Sequence, residues 1–415
     1  MVIVSSLLAL PGAAALAETK QALNALTEAA RKHRSRLNYD GTVFAGPALA
    51  KLEAAARESQ FFLIGEEHGI AENPKLAAQL FATLVADGYE KLVIEVSPPM
   101  AAILDAATRA DGVDGLRHLF ASPGGEPAFF GMQEEAELLA TARAALPEAA
   151  EVFWGVDYEV ASDRPLLRQL QAFDRPADSD APLSVLAAAS DAAWTRYDDT
   201  GDPGYIFGFS GDPALVRAVE NTWPGPDARA AWILDTLRST LEINQLWVQG
   251  RAWQSNMHRA GLLRSNFLRH WRSATRDGGP PKVMVKLGGN HVVRGKNMTG
   301  TFDLGTLLPE IAASEGSRSV SVLVLPGPES MVAVLNPATW SYEPKPAKDR
   351  YALGLEGLVD AAFTDAFTLI DLAPLRPMVG AGNEKYGTPV ARVVHGFDML
   401  LVMSQSTPAS ELAHD

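Results

Sequence analysis

Phe61-Phe62-Leu63-Ile64-Gly65-Glu66-Glu67-His68-Gly69 is the stretch on which the reading of this chain turns. Four apolar residues in a row without polar alternation describe a strand covered on both faces, the pattern of a parallel sheet. The run then ends in two acids and a histidine between glycines. Burying such groups is costly, and packing alone has no use for them. Side chains alternate along a strand, so Glu66 and His68 share a face while Glu67 points away, and the first two can converge on one ligand.

Working outward, similar apolar runs recur at Leu92 to Val96, Val152 to Val156, Val283 to Leu287, Val320 to Leu325, Phe367 to Ile370 and Met399 to Met403. Between them lie Ala-, Leu- and Glu-rich stretches such as Asn73 to Asp87 and Glu134 to Ala145, which read as helices. Strand and helix alternate, so the expected class is α/β, with a mainly parallel central sheet flanked by helices. From about 163 to 276 the alternation stops and the chain turns helical, which predicts a helical insertion capping the carboxyl ends of the strands. Leu234 to Ala274 within it reads as one long or kinked helix, weakened at Gly250 and Gly261. The proline-bearing segment Asn336 to Lys348 is expected to set off a C-terminal extension from a single α/β domain spanning 18–415.

Open parallel sheets bind ligands beyond the carboxyl ends of their strands, and the candidate residues fall there. Glu95 ends the second strand, Asp157 ends the third, and Lys286 lies on a fourth, followed by a Gly288-Gly289 turn that presents His291. Asp157 reads equally as a turn acid. Glu72 stands at a helix start, where a carboxylate either favours the positive helix end or joins the site, and Asn73-Pro74 has the order of an N-cap and a first-turn proline. On the long helical stretch Arg251, Ser255 and His258 follow at spacings that share a face, with a solvated face including Arg259 and Arg264 as the competing reading. His33, His118, His270, His395 and His414 read as surface or structural residues.

Composition narrows the chemistry. A net charge of −14 over 415 residues, with no basic stripe, argues against a nucleic-acid partner. The absence of cysteine excludes thiol catalysis, disulfides, cysteine-ligated zinc and a lipidated N-terminal cysteine. The apolar run Val2 to Leu10, the Pro11-Gly12 break and the triplet Ala15-Leu16-Ala17 read as a signal peptide over residues 1–17, although no basic residue precedes the run. The expected location is therefore periplasmic or secreted, without stable membrane insertion once that segment is removed.

GEEHGIAE from Gly65, IEVS from Ile94, WGVD from Trp154 and GGNHVVRGKNMTGTFDLGTLL from Gly288 together resemble the erythromycin esterase-like and ChaN-like superfamily, which also embraces haem-binding uptake proteins and Tiki-type proteases. The resemblance implies an α/β sheet with a helical cap and a cleft in which Glu66, His68, Glu95 and His291 form the site. In the esterase branch similar residues activate water for attack on a macrolactone, with histidine as general base. Glu67 between the acid and His68 looks more like the uptake-protein branch, whereas Gly69, Glu72 and the block from His291 to the DLG triplet look more like the esterase.

The residues themselves support hydrolysis of an ester, lactone or related acyl bond of a small-molecule substrate, since four titratable groups converge with no serine in a nucleophile elbow. His68 or His291 is the expected base, Glu66 and Glu95 the groups that orient the imidazoles, and Arg251 or Lys286 the stabiliser of the oxyanion. A metal-assisted version holds Zn or Mn with Glu66, His68, Glu95 and His291, although no compact HExxH motif is present. The rival reading is a haem- or iron-complex-binding protein with His68 or His291 as axial ligand.

Overall fold

The computed structural model describes residues 13–121, 125–277, 279–349, 354–380 and 387–413. The expected signal run Val2 to Leu10 lies outside the described residues. Eleven strands are present among them: β1 (Arg34–Tyr39), β2 (Phe44–Ala45), β3 (Phe61–Glu66), β4 (Tyr89–Ile94), β5 (Phe153–Gly155), β6 (Lys282–Gly288), β7 (Ser319–Pro326), β8 (Met331–Asn336), β9 (Ser341–Pro346), β10 (Phe367–Asp371) and β11 (Met399–Met403). Nine of these form one sheet in the order β2-β1-β10-β11-β7-β3-β6-β4-β5. The run from β11 to β5 is parallel throughout, and β10, β1 and β2 close one edge in antiparallel pairs.

β3 lies inside this sheet between β7 and β6, and every one of its residues is buried. Phe62 and Ile64 pack into one apolar cluster and Phe61 and Leu63 into the other, on opposite faces. Each fully buried side chain of this size stabilises the fold by ~1.5–3 kcal/mol. The continuous apolar run therefore has the cause the sequence suggested, burial on both sides.

Two glycines let the site close around the end of β3. A Cβ on Gly65 would stand 2.4 Å from Val292 Cγ2, so only glycine admits the short helix Gly289–Val292 that carries His291. Gly69 has φ +86°, and a Cβ there would meet the Ala333 carbonyl oxygen at 1.9 Å. Its own carbonyl accepts from the backbone N–H groups of Ala333 and Ala409, both at 2.9 Å, tying the loop after β3 to β8 and to the C-terminal segment.

The helical insertion occupies the space between β5 and β6. Its last two helices are Ala228–Val248 and Ala252–Asp277, separated at Gly250 with φ +74°. The single long or kinked helix expected there is thus two helices, and the chain folds back so that Ser255 Oγ donates to Ile243 O at 2.9 Å. The second helix returns across the sheet, where Phe267 and Trp271 pack edge-on against Phe61 with ring centroids 5.7 and 5.0 Å apart. That path carries its middle over the ends of β4 and β5. The segment after Asn336 also departs from expectation, because β9 pairs with β8 and the chain then re-enters the main sheet as β10 and β11 instead of forming an extension. No helix among the described residues is long and apolar enough to cross a membrane.

Candidate active site

A cavity of about 360 Å³ opens at the carboxyl ends of β3, β4, β5 and β6, lined by Glu66, His68, Glu95, Asp157, Arg259 and His291 among others. That size suits a small organic ligand.

Its floor is a chain of buried charge. Glu66 Oε1 accepts from Lys286 Nζ at 2.6 Å and faces His68 Nδ1 at 3.1 Å, while Glu66 Oε2 accepts from Asn73 Nδ2. Burial by itself would raise the Glu66 carboxyl, but the Lys286 charge and the His68 contact outweigh it and hold the group at about 2. With Nδ1 donating to Glu66, the accepting nitrogen of His68 is Nε2. Burial pulls the imidazole down, and Glu66 followed by Glu95 raises it above its ordinary value. Phe129 stacks on the ring at 4.0 Å between centroids and 8° between planes.

The second imidazole is held in the same manner. His291 Nδ1 lies 2.8 Å from Asp303 Oδ2, and Asp303 Oδ1 caps the next helix by accepting from Leu304 N at 2.8 Å. Against the lowering effect of burial, the charge of Glu95 and the bond to Asp303 raise His291 to about 10. The two Nε2 atoms then converge on a single carboxylate: His68 Nε2 is 3.8 Å from Glu95 Oε2, and His291 Nε2 is 3.4 Å from Glu95 Oε1. Glu95 is further held by the Gly288 backbone N–H at 2.6 Å and by Arg259 at 3.0 Å. Despite burial its carboxyl stays well below the usual range, chiefly through His291.

Arg259 bridges Glu95 and Asp157, donating to Asp157 through both Nε, at 2.9 Å, and a terminal nitrogen, and it lies over the Tyr158 ring at 4.7 Å. Next to it Glu159 accepts from Ser97 Oγ at 3.0 Å, and burial pushes it up to about 8, so it holds a proton at neutral pH.

Of the residues expected from sequence, Glu66, His68, Glu95, His291 and Asp157 meet at this cavity. The others do not line it. Lys286 lies beneath the floor, 2.6 Å from both Glu66 and Glu135, committed to two carboxylates and unable to reach an oxyanion. Glu72 is buried and accepts from Thr407 N and, at 2.8 Å, from Thr407 Oγ1, so it fastens the C-terminal segment. Asn73 is no N-cap: the helix already includes Glu72, and the amide side chain turns to Glu66. Arg251 and His258 are exposed, because the face turned to the sheet is that of Ser255, Arg259, Asn266 and His270. His270 is structural, stacked on Trp154 with Nε2 3.1 Å from Gly155 O.

Sequence reasoning named Arg259 only as part of a solvated face, where the structure turns it to Glu95 and Asp157, and it gave no role to Asp303, Glu135 or Phe129. Arg259 follows Ser255 at i+4 on the same helix face, and Asp303 stands at the start of a helix, so both carried a local signal. Phe129 has φ +68°, and no pattern in its surroundings announces it.

Among the described residues, one group of acids and imidazoles is close enough to share an ion: Glu95, Asp157 and His291, with ligand atoms within 4.8 Å of one another. Arg259 stands between those two carboxylates as their counterion, and Glu66 is spent on Lys286 and Asn73. The donor set therefore does not suit a divalent ion, and the expected sphere of Glu66, His68, Glu95 and His291 does not form such a group. Nor is His291 turned as an axial haem ligand, since its Nε2 faces Glu95 Oε1 at 3.4 Å.

No family model and no curated protein sequence matches the chain. Among solved structures it is similar to a Bacillus cereus protein, at 15% identity over 94% of this chain and 99% of that one, with a TM-score of 0.54. A succinoglycan biosynthesis protein aligns at 12% identity over 94% and 98%, with a TM-score of 0.58. An erythromycin esterase mutant in its open conformation aligns at 14% identity over 88% and 95%, with a TM-score of 0.53. The chain shares their fold.

Proposed function

We propose that this protein hydrolyses an ester, lactone or related acyl bond of a small-molecule substrate, with water as nucleophile and His68 as general base. The observation that carries the reading is the convergence of two carboxylate-held imidazoles, Glu66 with His68 and Asp303 with His291, on Glu95 inside one cavity. The esterase among the structural neighbours supports the bond class.

A base must be unprotonated at its working pH. His291, raised to about 10, keeps its proton, so the role falls to His68, which the neighbouring carboxylates also raise and which serves as base once pH lies above its own titration. The 3.8 Å from His68 Nε2 to Glu95 Oε2 is too long for a direct hydrogen bond and is a span that one water bridges. Such a water attacks the acyl carbon as His68 takes its proton. The resulting oxyanion faces the His291 Nε2–H and the Arg259 guanidinium, preformed positive charge in a partly enclosed cavity. Collapse of the intermediate passes the proton from His68 to the departing oxygen, giving acid and alcohol.

The test is His68→Ala on a panel of aryl esters and lactones. Turnover is expected to fall ~10²–10⁴-fold with circular dichroism and melting unchanged. Near-normal turnover in that variant refutes the assignment. We also propose that the protein works in the periplasm or outside the cell, which fractionation of the producing cells checks.

A further inference from the structure

Adjoining the main cavity, with Glu66, His68, Glu95 and Phe129 common to both, lies a second and much smaller one of about 10 Å³ that Glu135 and Lys286 also line. That is the room needed for about one water. Glu135 belongs to the helix Gln133–Ala145, is 4% exposed, and accepts through Oε1 from Lys286 Nζ at 2.6 Å. Its other oxygen, Oε2, is buried with no hydrogen-bond partner among the described residues. A buried carboxylate oxygen without a partner costs ~1–3 kcal/mol or more, so a group at this depth calls for a ligand or a use.

We propose that Glu135 is a positioning residue of the active site: through Lys286 and one water held in the small cavity, it fixes the Glu66 carboxylate that orients His68. This rests on the hydrolytic reading of the same site. Glu66 Oε1 serves both Lys286 and His68 Nδ1, so the place of the ammonium decides the place of the oxygen that aims the imidazole. A lysine stem is flexible and its ammonium is a point charge, and two opposed carboxylates pin it where one would not. Lys286 has three donors, of which Glu66 and Glu135 take two. A water in the small cavity has the remaining polar partners at hand.

The charged groups around Glu135 are Lys286 from β6, Glu66 and His68 from β3 and the loop after it, and Glu95 from the end of β4. A carboxylate at Glu135 favours the protonated form of His68, and burial moves Glu135 itself up to about 7. Removing its charge therefore makes His68 the weaker base.

The experiment compares the unmodified protein with Glu135→Gln, which keeps the shape and removes the charge. The expected result is a kcat about tenfold lower at unchanged KM. The acid limb of kcat/KM and the NMR titration of the His68 ring should both move to lower pH by at least about half a unit. A glutamate that acts on His68 by charge alone moves the titration and leaves kcat above the acid limb unchanged, whereas a positioning residue lowers that plateau as well. In the unmodified protein the His68 ring should titrate in two steps, the second tracking Glu135, a measurement that stands if the variant fails to fold. The ring titration needs no substrate, so absence of hydrolysis by the unmodified protein removes the functional reading alone. An unshifted ring titration in Glu135→Gln, or a single-step titration without it, overturns the role of Glu135.

Discussion

Replacing Asp303 with Asn tests the charge state on which the division of labour between the two histidines rests. His291 moves from an ordinary 6.5 to about 10 in the folded protein. At ~1.4 kcal/mol per pH unit, that gap corresponds to at most ~5 kcal/mol of preference for the imidazolium. Glu95 contributes the larger share and the bond to Asp303 the smaller. A charge-assisted hydrogen bond is worth ~1.5–3 kcal/mol, so Asp303→Asn should lower His291 by about one to two pH units. Asparagine still caps the helix at Leu304, which isolates the charge from the cap.

A folded-state value above the unfolded one contributes stability that is complete below pH 6.5 and is lost as pH rises toward about 10. Glu135 and Glu159, pushed up from an ordinary 4.5 to about 7 and about 8, weaken the fold as pH rises from about 4.5 to those values, so their losses overlap only the lower part of that window. The informative quantity is therefore the difference between the two proteins. Guanidinium melts from pH 6 to 10 should show a shallower decline in Asp303→Asn, and the ring carbons of His291, assigned with His291→Asn, should titrate at lower pH. Titration of His291 between pH 6 and 7 in the unmodified protein, or no change on replacing Asp303, refutes the reasoning.

Arg259→Met leaves Asp157 and Glu95 facing each other without their counterion, and loss of one member of a buried pair costs ~3–5 kcal/mol. Chemical denaturation should show that loss, and Arg259→Lys should recover only part of it because the two-pronged contact to Asp157 is gone. Because Arg259 occupies the place of an ion among Glu95, Asp157 and His291, the purified protein should carry no stoichiometric zinc or manganese by elemental analysis. Its ester hydrolysis should persist after dialysis against a chelator; loss of activity restored by added metal would overturn that assignment.

The apolar runs by themselves determined that Phe61–Glu66 and Lys282–Gly288 are buried parallel strands, and the acids and histidines at their ends marked where a ligand could bind. Periodicity and end signals are local, so they are written into consecutive residues. Only the tertiary structure decided which distant groups partner one another. It placed Arg259 over the strand ends and left Arg251 and His258 in solvent, a choice made by the turn at Gly250 and the packing of Phe267 and Trp271 on Phe61. It sank Lys286 between Glu66 and Glu135, gave Glu72 to Thr407 across 335 residues of chain, and drew β10 and β11 back into the sheet. Each of those outcomes depends on which surfaces meet when the layers close, and a residue's near neighbours in the chain carry no record of that.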